Sequence, residues 1–335
     1  MAPDDPTYDI PRRAFRLVLV YCTLRELEIF SDLPAAGEMS RLELTQRVDS
    51  LLEENGLPPE MTLRRMREGN VVFTGARILR VLLPGCNVDD TLSFCCPGWG
   101  RDSFLQFLLL SGYRVESEDD QTVEDEDYGR QRSHSGCRHG MLLVNGDGCS
   151  ITVLESVSMS PLVPVFFSPT TASMNYISAD GVACLYPDTT LNKTGLTNYA
   201  RYLSDEERRR RLEPYIAQGF QVIDSCEVWH SHGSADGGYT QADLPVHCQR
   251  KSRRIDRPDA LMVPFAKGGF VPVRPFARWR LGHNRLSHSG SHEEKDVLVS
   301  VEAEGGSFIE YNLHQKTFEL EDLLYGYLVA QLDEL

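Results

Sequence analysis

At 335 residues the chain is long enough for one large domain or two ordinary ones, with a sizeable buried core. Its 41% hydrophobic and 25% charged residues are those of a soluble globular protein. The formal net charge of −15 argues against general nucleic-acid binding, which needs a basic face to displace counterions.

The opening MAPDDPTYDIPRR is acidic and proline-containing, unlike a secretory n-region, and the apolar run Leu17–Tyr21 is far short of a membrane span. Nine irregularly spaced cysteines form no disulfide framework. The expectation is an intracellular protein, cytoplasmic or nuclear, with reduced thiols and no membrane association. In that setting the sequon at Asn192 is idle.

Pro11–Phe30 mixes apolar and charged residues and fits strand or helix, so residues 1–59 read as a strand/helix leader. Within it, Leu42, Leu44, Val48, Leu51 and Leu52 lie on one helical stripe over Ser40–Asn55, stopped by Asn55-Gly56. Thr62–Gly69 reads as a second short helix whose Arg64, Arg65 and Arg67 form a solvated face. Asn70–Phe73 reads as a strand, Thr74-Gly75-Ala76 as a turn, Arg77–Leu83 as a helix, Asp90–Cys96 as a strand and Ser103–Leu110 as an apolar helix. Cys95 and Cys96, adjacent on a strand, point to opposite faces, one to the core and one to the rim.

Beyond Tyr113–Val115, the stretch Glu116–Asp127 carries eight carboxylates and no base. With the polar residues after it, this predicts a flexible acidic insertion over 116–140. Met141–Val144 and Ser150–Glu155 read as strands joined through Asn145-Gly146 or Asp147-Gly148. The apolar segments Val163–Phe167 and Met174–Leu185 complete a mixed α/β core over about 60–190.

The remainder, 191–335, reads as a C-terminal extension. Ser204-Asp205-Glu206-Glu207 is a capping box opening a helix, whose four successive arginines point all around the axis and make no single stripe. Phe265–Gly282 interleaves bases and aromatics, the pattern of a strand pair with an apolar inner and a basic outer face. Leu320, Leu323, Leu324, Tyr327, Leu328 and Leu332 predict a helix that docks on the core.

The stretch VVFTGARILRVLLPGCNVDDTLSFCCPGWGRDSFLQFLLLSGYRV resembles a recurrent fungal family with a nucleotidyltransferase-like fold, and SPLVPVFFSPTTASMNYISADGVACLYPDTTL is similar to a later segment of it. The resemblance covers roughly residues 70–190. It implies a small mixed sheet flanked by helices. It also implies a Gly-Ser turn at a helix N-terminus for phosphate, and two acids at i and i+2 on the next strand that hold magnesium with a third carboxylate. Gly75 matches the turn glycine, but Ala76 replaces the serine.

Aligned on Pro97, Thr91 and Ser93 stand at the two carboxylate positions, and neutral hydroxyls are poor substitutes for the anionic oxygens magnesium prefers. Asp89 and Asp90 are adjacent, so no register gives two acids at i and i+2. Glu155 is the candidate third carboxylate, or else a strand-end surface acid. The resulting expectation is a catalytically degenerate relative, a pseudoenzyme acting by binding a nucleotide or a protein partner. The alternative is an active magnesium-dependent nucleotidyltransferase using Asp89 or Asp90 with Glu155.

A further alternative is a zinc-stabilised interaction module. Cys226, His230, His232, His247 and Cys248 have the residue types of a zinc site, although their spacing matches no standard finger.

Overall fold

Local signals account for the N-terminal layer. The helices α1 (Pro6–Leu19), α2 (Leu24–Ser31), α3 (Gly37–Glu53) and α4 (Pro59–Gly69) leave the 1–59 leader without a strand among its described residues. Thr23 and Glu26 settle the ambiguous 11–30 stretch. The Thr23 side chain accepts from the Glu26 N–H, and the Glu26 carboxylate accepts from the Thr23 N–H at 2.6 Å, a capping box that starts α2. In α3, Leu44, Val48, Leu51 and Leu52 are fully buried, whereas Leu42 of the predicted stripe faces solvent. The computed structural model describes residues 6–34, 36–88, 91–119, 136–199, 204–226, 248–249, 251–257, 259–286, 292–295, 297–303 and 307–312.

The central elements follow in order: β1 (Val72–Thr74), a 3₁₀ turn (Ala76–Ile78), α5 (Leu79–Leu82), β2 (Leu92–Cys96), α6 (Gly98–Leu110), β3 (Tyr113–Asp119), β4 (Cys137–Asn145) and β5 (Ser150–Ser156). Strand β3 runs through Asp119 and β4 starts at Cys137, so both ends of the expected flexible insertion are strand; residues 120–135 lie outside the described set. Residues 145–149 turn β4 into β5, with the Asn145 side-chain oxygen accepting from the N–H groups of Asp147 and Cys149 at 3.0 and 2.8 Å.

Later come α7 (Val163–Phe166), β6 (Asn175–Ile177), β7 (Gly181–Cys184), α8 (Pro187–Thr190), β8 (Thr194–Leu196), α9 (Asp205–Ala217), β9 (Gln221–Ile223), β10 (Arg253–Arg254), β11 (Leu261–Pro264), β12 (Ala277–Arg280), β13 (His283–Leu286), β14 (His292–Lys295), β15 (Leu298–Glu302) and β16 (Phe308–Asn312). The Ser204 hydroxyl caps α9 by accepting from the Glu207 N–H at 3.2 Å. The predicted docking helix over 318–332 lies outside the described residues.

The protein is therefore mixed α/β, with a central sheet larger than the small one expected. Eight strands run in the order β11-β7-β6-β1-β2-β5-β4-β3. β2 and β5 pair in parallel and the other neighbours antiparallel. The edge strand β11 comes from residues 261–264, so a boundary at 190 cuts through this sheet. The strand pair predicted over 265–282 does not form: β11 precedes it, and β12 pairs with β10 and β15 in a separate four-stranded sheet.

Strand alternation divides the core in two. Phe73, Leu92, Phe94, Cys96, Met141, Leu143, Ile151 and Val153 pack with α1–α6. Val72, Cys95, Tyr176 and Ala183 face the other way and join Phe166, Trp279, Val299 and Val301 in a second cluster. Cys95 is fully buried there rather than at a rim, because both sheet faces are covered at that point. Phe166 stacks on Trp279 at 4.5 Å, and the Trp279 indole N–H donates to the Tyr186 hydroxyl at 2.9 Å. Among the described residues no helix is long and apolar enough to cross a membrane.

Candidate functional site

The turn after β1 owes its glycine to backbone geometry. Gly75 adopts φ 104°, ψ 178°, a conformation that side chains disfavour strongly. Past it the chain forms one 3₁₀ turn and the four-residue α5, in place of the expected helix over 77–83. So short an element has little macrodipole to offer an anion. The Ala76 methyl is buried in the core, and Arg77 Nη1 donates to the Asn55 side-chain oxygen at 2.7 Å.

On β2, the register opposes Ser93 to Thr74 on one side and to Thr152 on the other. These three residues form a cross-strand row, with Thr91 Oγ1 lying 3.5 Å from Ser150 Oγ beside it. The Thr74 hydroxyl donates to the Asn175 carbonyl at 2.8 Å, while Ser93 and Thr152 are half-buried. The two positions aligned with the metal-binding acids thus sit in a hydroxyl-bearing strip. Thr74, Ser150 and Thr152 carry no motif, and only strand register reveals that they belong to it.

Glu155 does not converge with this strip. It pairs in register with Cys96, three residues past Ser93 along β2. That is about 10 Å at the strand rise of about 3.3 Å per residue. An odd offset also puts it on the opposite face, the one packed against α6. Glu155 is 6% exposed, so it is no surface acid. Its Oε2 accepts from Arg101 Nη1 of α6 at 2.8 Å, and Arg138 Nη1 lies 3.9 Å from Oε1. Arg101 also donates through Nε to Asp102 at 3.0 Å. The sequence reading missed Arg101 as the partner, because nothing local in an α6 arginine points to a residue 54 positions away.

Asp89 and Asp90 lie outside the described residues. The described candidates do not fit a magnesium site: Thr91 and Ser93 are neutral, and Glu155 faces away and is already neutralised by arginine.

Of the five zinc candidates, Cys226 and Cys248 come together, with Sγ atoms 3.8 Å apart in the second core cluster. His230, His232 and His247 lie outside the described residues. Among the described residues, no group of three or more His, Cys, Asp or Glu is arranged to hold a metal.

Two other features bear on binding. A surface groove of about 360 Å³ is lined by Val20, Glu43, Gln46, Arg47, Arg80 and Gly85. Its Arg47 is spent on structure: the guanidinium donates to Glu43 and to the carbonyls of Leu19, Val20, Cys22 and Val81, which uses all five of its N–H groups. The basic cluster on α4 is likewise paired, Arg64 and Arg65 with Glu68 and Arg67 with Asp180.

The chain matches no protein-family model, no curated protein and no solved structure.

Proposed function

We propose that this protein is a catalytically degenerate relative of nucleotidyltransferase-like proteins and that it acts by binding a nucleotide or a protein partner. One observation carries the reading. Where the resemblance calls for paired acids on β2, Thr91 and Ser93 stand in a hydroxyl row, and the candidate third acid, Glu155, is tied to Arg101 on the opposite face. Phosphoryl transfer by this route needs carboxylates converging on two metals about 3.5–4 Å apart. Hydroxyls can still donate and accept hydrogen bonds to a ligand, which suits recognition better than turnover.

The test is an incorporation assay with each of the four NTPs, in magnesium and in manganese, alongside equilibrium binding of the same nucleotides. No incorporation is expected, and any nucleotide binding should survive removal of divalent metal. Turnover that disappears in Asp90→Asn would instead establish an active transferase.

A further inference from the structure

Cys226 and Cys248 bracket the segment 227–247, and the chain on either side of it is already fastened together. Cys226 lies three residues past the end of β9, and its N–H donates to the Gln249 side-chain oxygen at 3.2 Å. The Gln249 side-chain nitrogen donates to the carbonyls of Thr197 and Asp224 at 3.0 and 3.2 Å. The Gln249 backbone N–H donates to Cys226 Sγ at 3.5 Å. Three of these bonds hold Gln249 against Asp224 and Cys226 and the fourth ties it to Thr197, so the ends of a 22-residue separation meet before any covalent link.

The two sulfurs are in van der Waals contact at 3.8 Å and are not disulfide-bonded; Cys226 is 5% exposed and Cys248 fully buried. A disulfide requires about 2.05 Å, an approach of roughly 1.8 Å shared by two side chains. Cys95 and Cys96, by contrast, point into separate clusters on opposite sheet faces.

We propose that Cys226 and Cys248 form a reversible disulfide that closes the gap between residues 224–226 and 248–249 in response to a low-molecular-weight disulfide such as oxidised glutathione. The thiolate of one cysteine attacks a sulfur of the oxidant, and one glutathione thiolate leaves with the electron pair of the broken S–S bond and takes up a proton. The second cysteine, as thiolate, attacks the mixed disulfide, and a second glutathione leaves likewise. Two protein thiols are oxidised, one glutathione disulfide is reduced to two thiols, and two protons pass from the cysteines to glutathione. The Cys226 thiol is pushed up, first by its hydrogen bond with Cys248 and then by burial. Closure is therefore slow near neutrality and faster as pH rises.

The test uses the reduced full-length chain, equilibrated with oxidised glutathione and alkylated under denaturing conditions. The expected result is a peptide pair joined through Cys226 and Cys248, two hydrogens lighter than its parts and released by dithiothreitol. Cys226→Ser should lose the pair and leave Cys248 as a single glutathione adduct or a thiol. Both cysteines remaining alkylatable, while the half-buried Cys149 takes up glutathione, would overturn the proposal. So would stoichiometric zinc in the purified chain whose removal is required before either thiol reacts. The peptide map of the unsubstituted protein decides the matter even if the variant does not fold.

Discussion

Replacing Arg101 by Met should destabilise the protein more than neutralising the carboxylate it holds. Glu155 is 6% exposed, and its close partner is Arg101 at 2.8 Å, with Arg138 at 3.9 Å contributing weakly. Removing one member of a fully buried pair costs about 3–5 kcal/mol, because the remaining charge is stranded away from water. The Arg101 side chain is 26% exposed, which permits some solvent to reach Glu155 once the guanidinium is gone. Arg101→Met is therefore expected at the low end, about 3 kcal/mol.

Glu155→Gln strands nothing comparable. The arginine keeps Asp102 and its own access to water, and an amide oxygen still accepts from Nη1, so about 1–2 kcal/mol is expected. In the double variant the stranded charge is absent, and about 1–2 kcal/mol should be recovered relative to the sum of the single variants. Urea unfolding at pH 7 measures all three, with equal slopes licensing the comparison of midpoints. If both single variants shift stability by less than about 0.5 kcal/mol, the pair does not hold α6 to β5 and the structural reasoning fails. A Glu155→Gln protein more stable than its parent would point to a carboxylate kept under repulsion, as a metal ligand is.

Close approach and charge give three further expected outcomes. A Cβ on Gly100 would lie 2.2 Å from the Gly69 carbonyl oxygen, where α6 crosses α4, so Gly100→Ala should cost at least about 3 kcal/mol or abolish folding. Gly85→Ala meets no atom within 4 Å and strains only a backbone at φ +76°, so about 1–2 kcal/mol is expected in the same assay. Arg254 grips Asp256 through two bonds of 2.9 and 2.8 Å and holds its carboxyl below the ordinary 3.8. A depressed folded-state value gives stability that is fully present above the unfolded value and is lost as pH falls through the folded one. The gap between parent and Asp256→Asn, under about 1 kcal/mol for so accessible a pair, should vanish at low pH and shrink in salt. A gap that widens on acidification would contradict the sign.

Much of the fold was legible locally. The α3 stripe, the helix of 62–69, the strand ending at Cys96, the apolar α6, the β4–β5 pair and the Ser204 cap all rest on spacings of a few residues, and the structure contains each of them. The capping box at Thr23 was equally local and was missed because its helix is short and mixed in composition. At the site, the sequence identified Gly75, Ala76, Thr91 and Ser93 as the positions to compare, and it supplied the absence of acids at i and i+2.

What the sequence determined by itself is therefore the set of elements and the chemistry carried on each. Alternation gave the face of each β2 side chain relative to its neighbours on that strand. Tertiary structure decided everything that depends on register between strands. It set Thr74 and Thr152 beside Ser93, turned Glu155 to the opposite face under Arg101, and added a strand from residue 261 to the central sheet. It also brought Cys226 within 3.8 Å of Cys248. Periods of 2 and 3.6 are written in neighbouring residues, whereas register depends on which distant segments bury one another, and a one-residue slip would move every side chain of a strand to the other face.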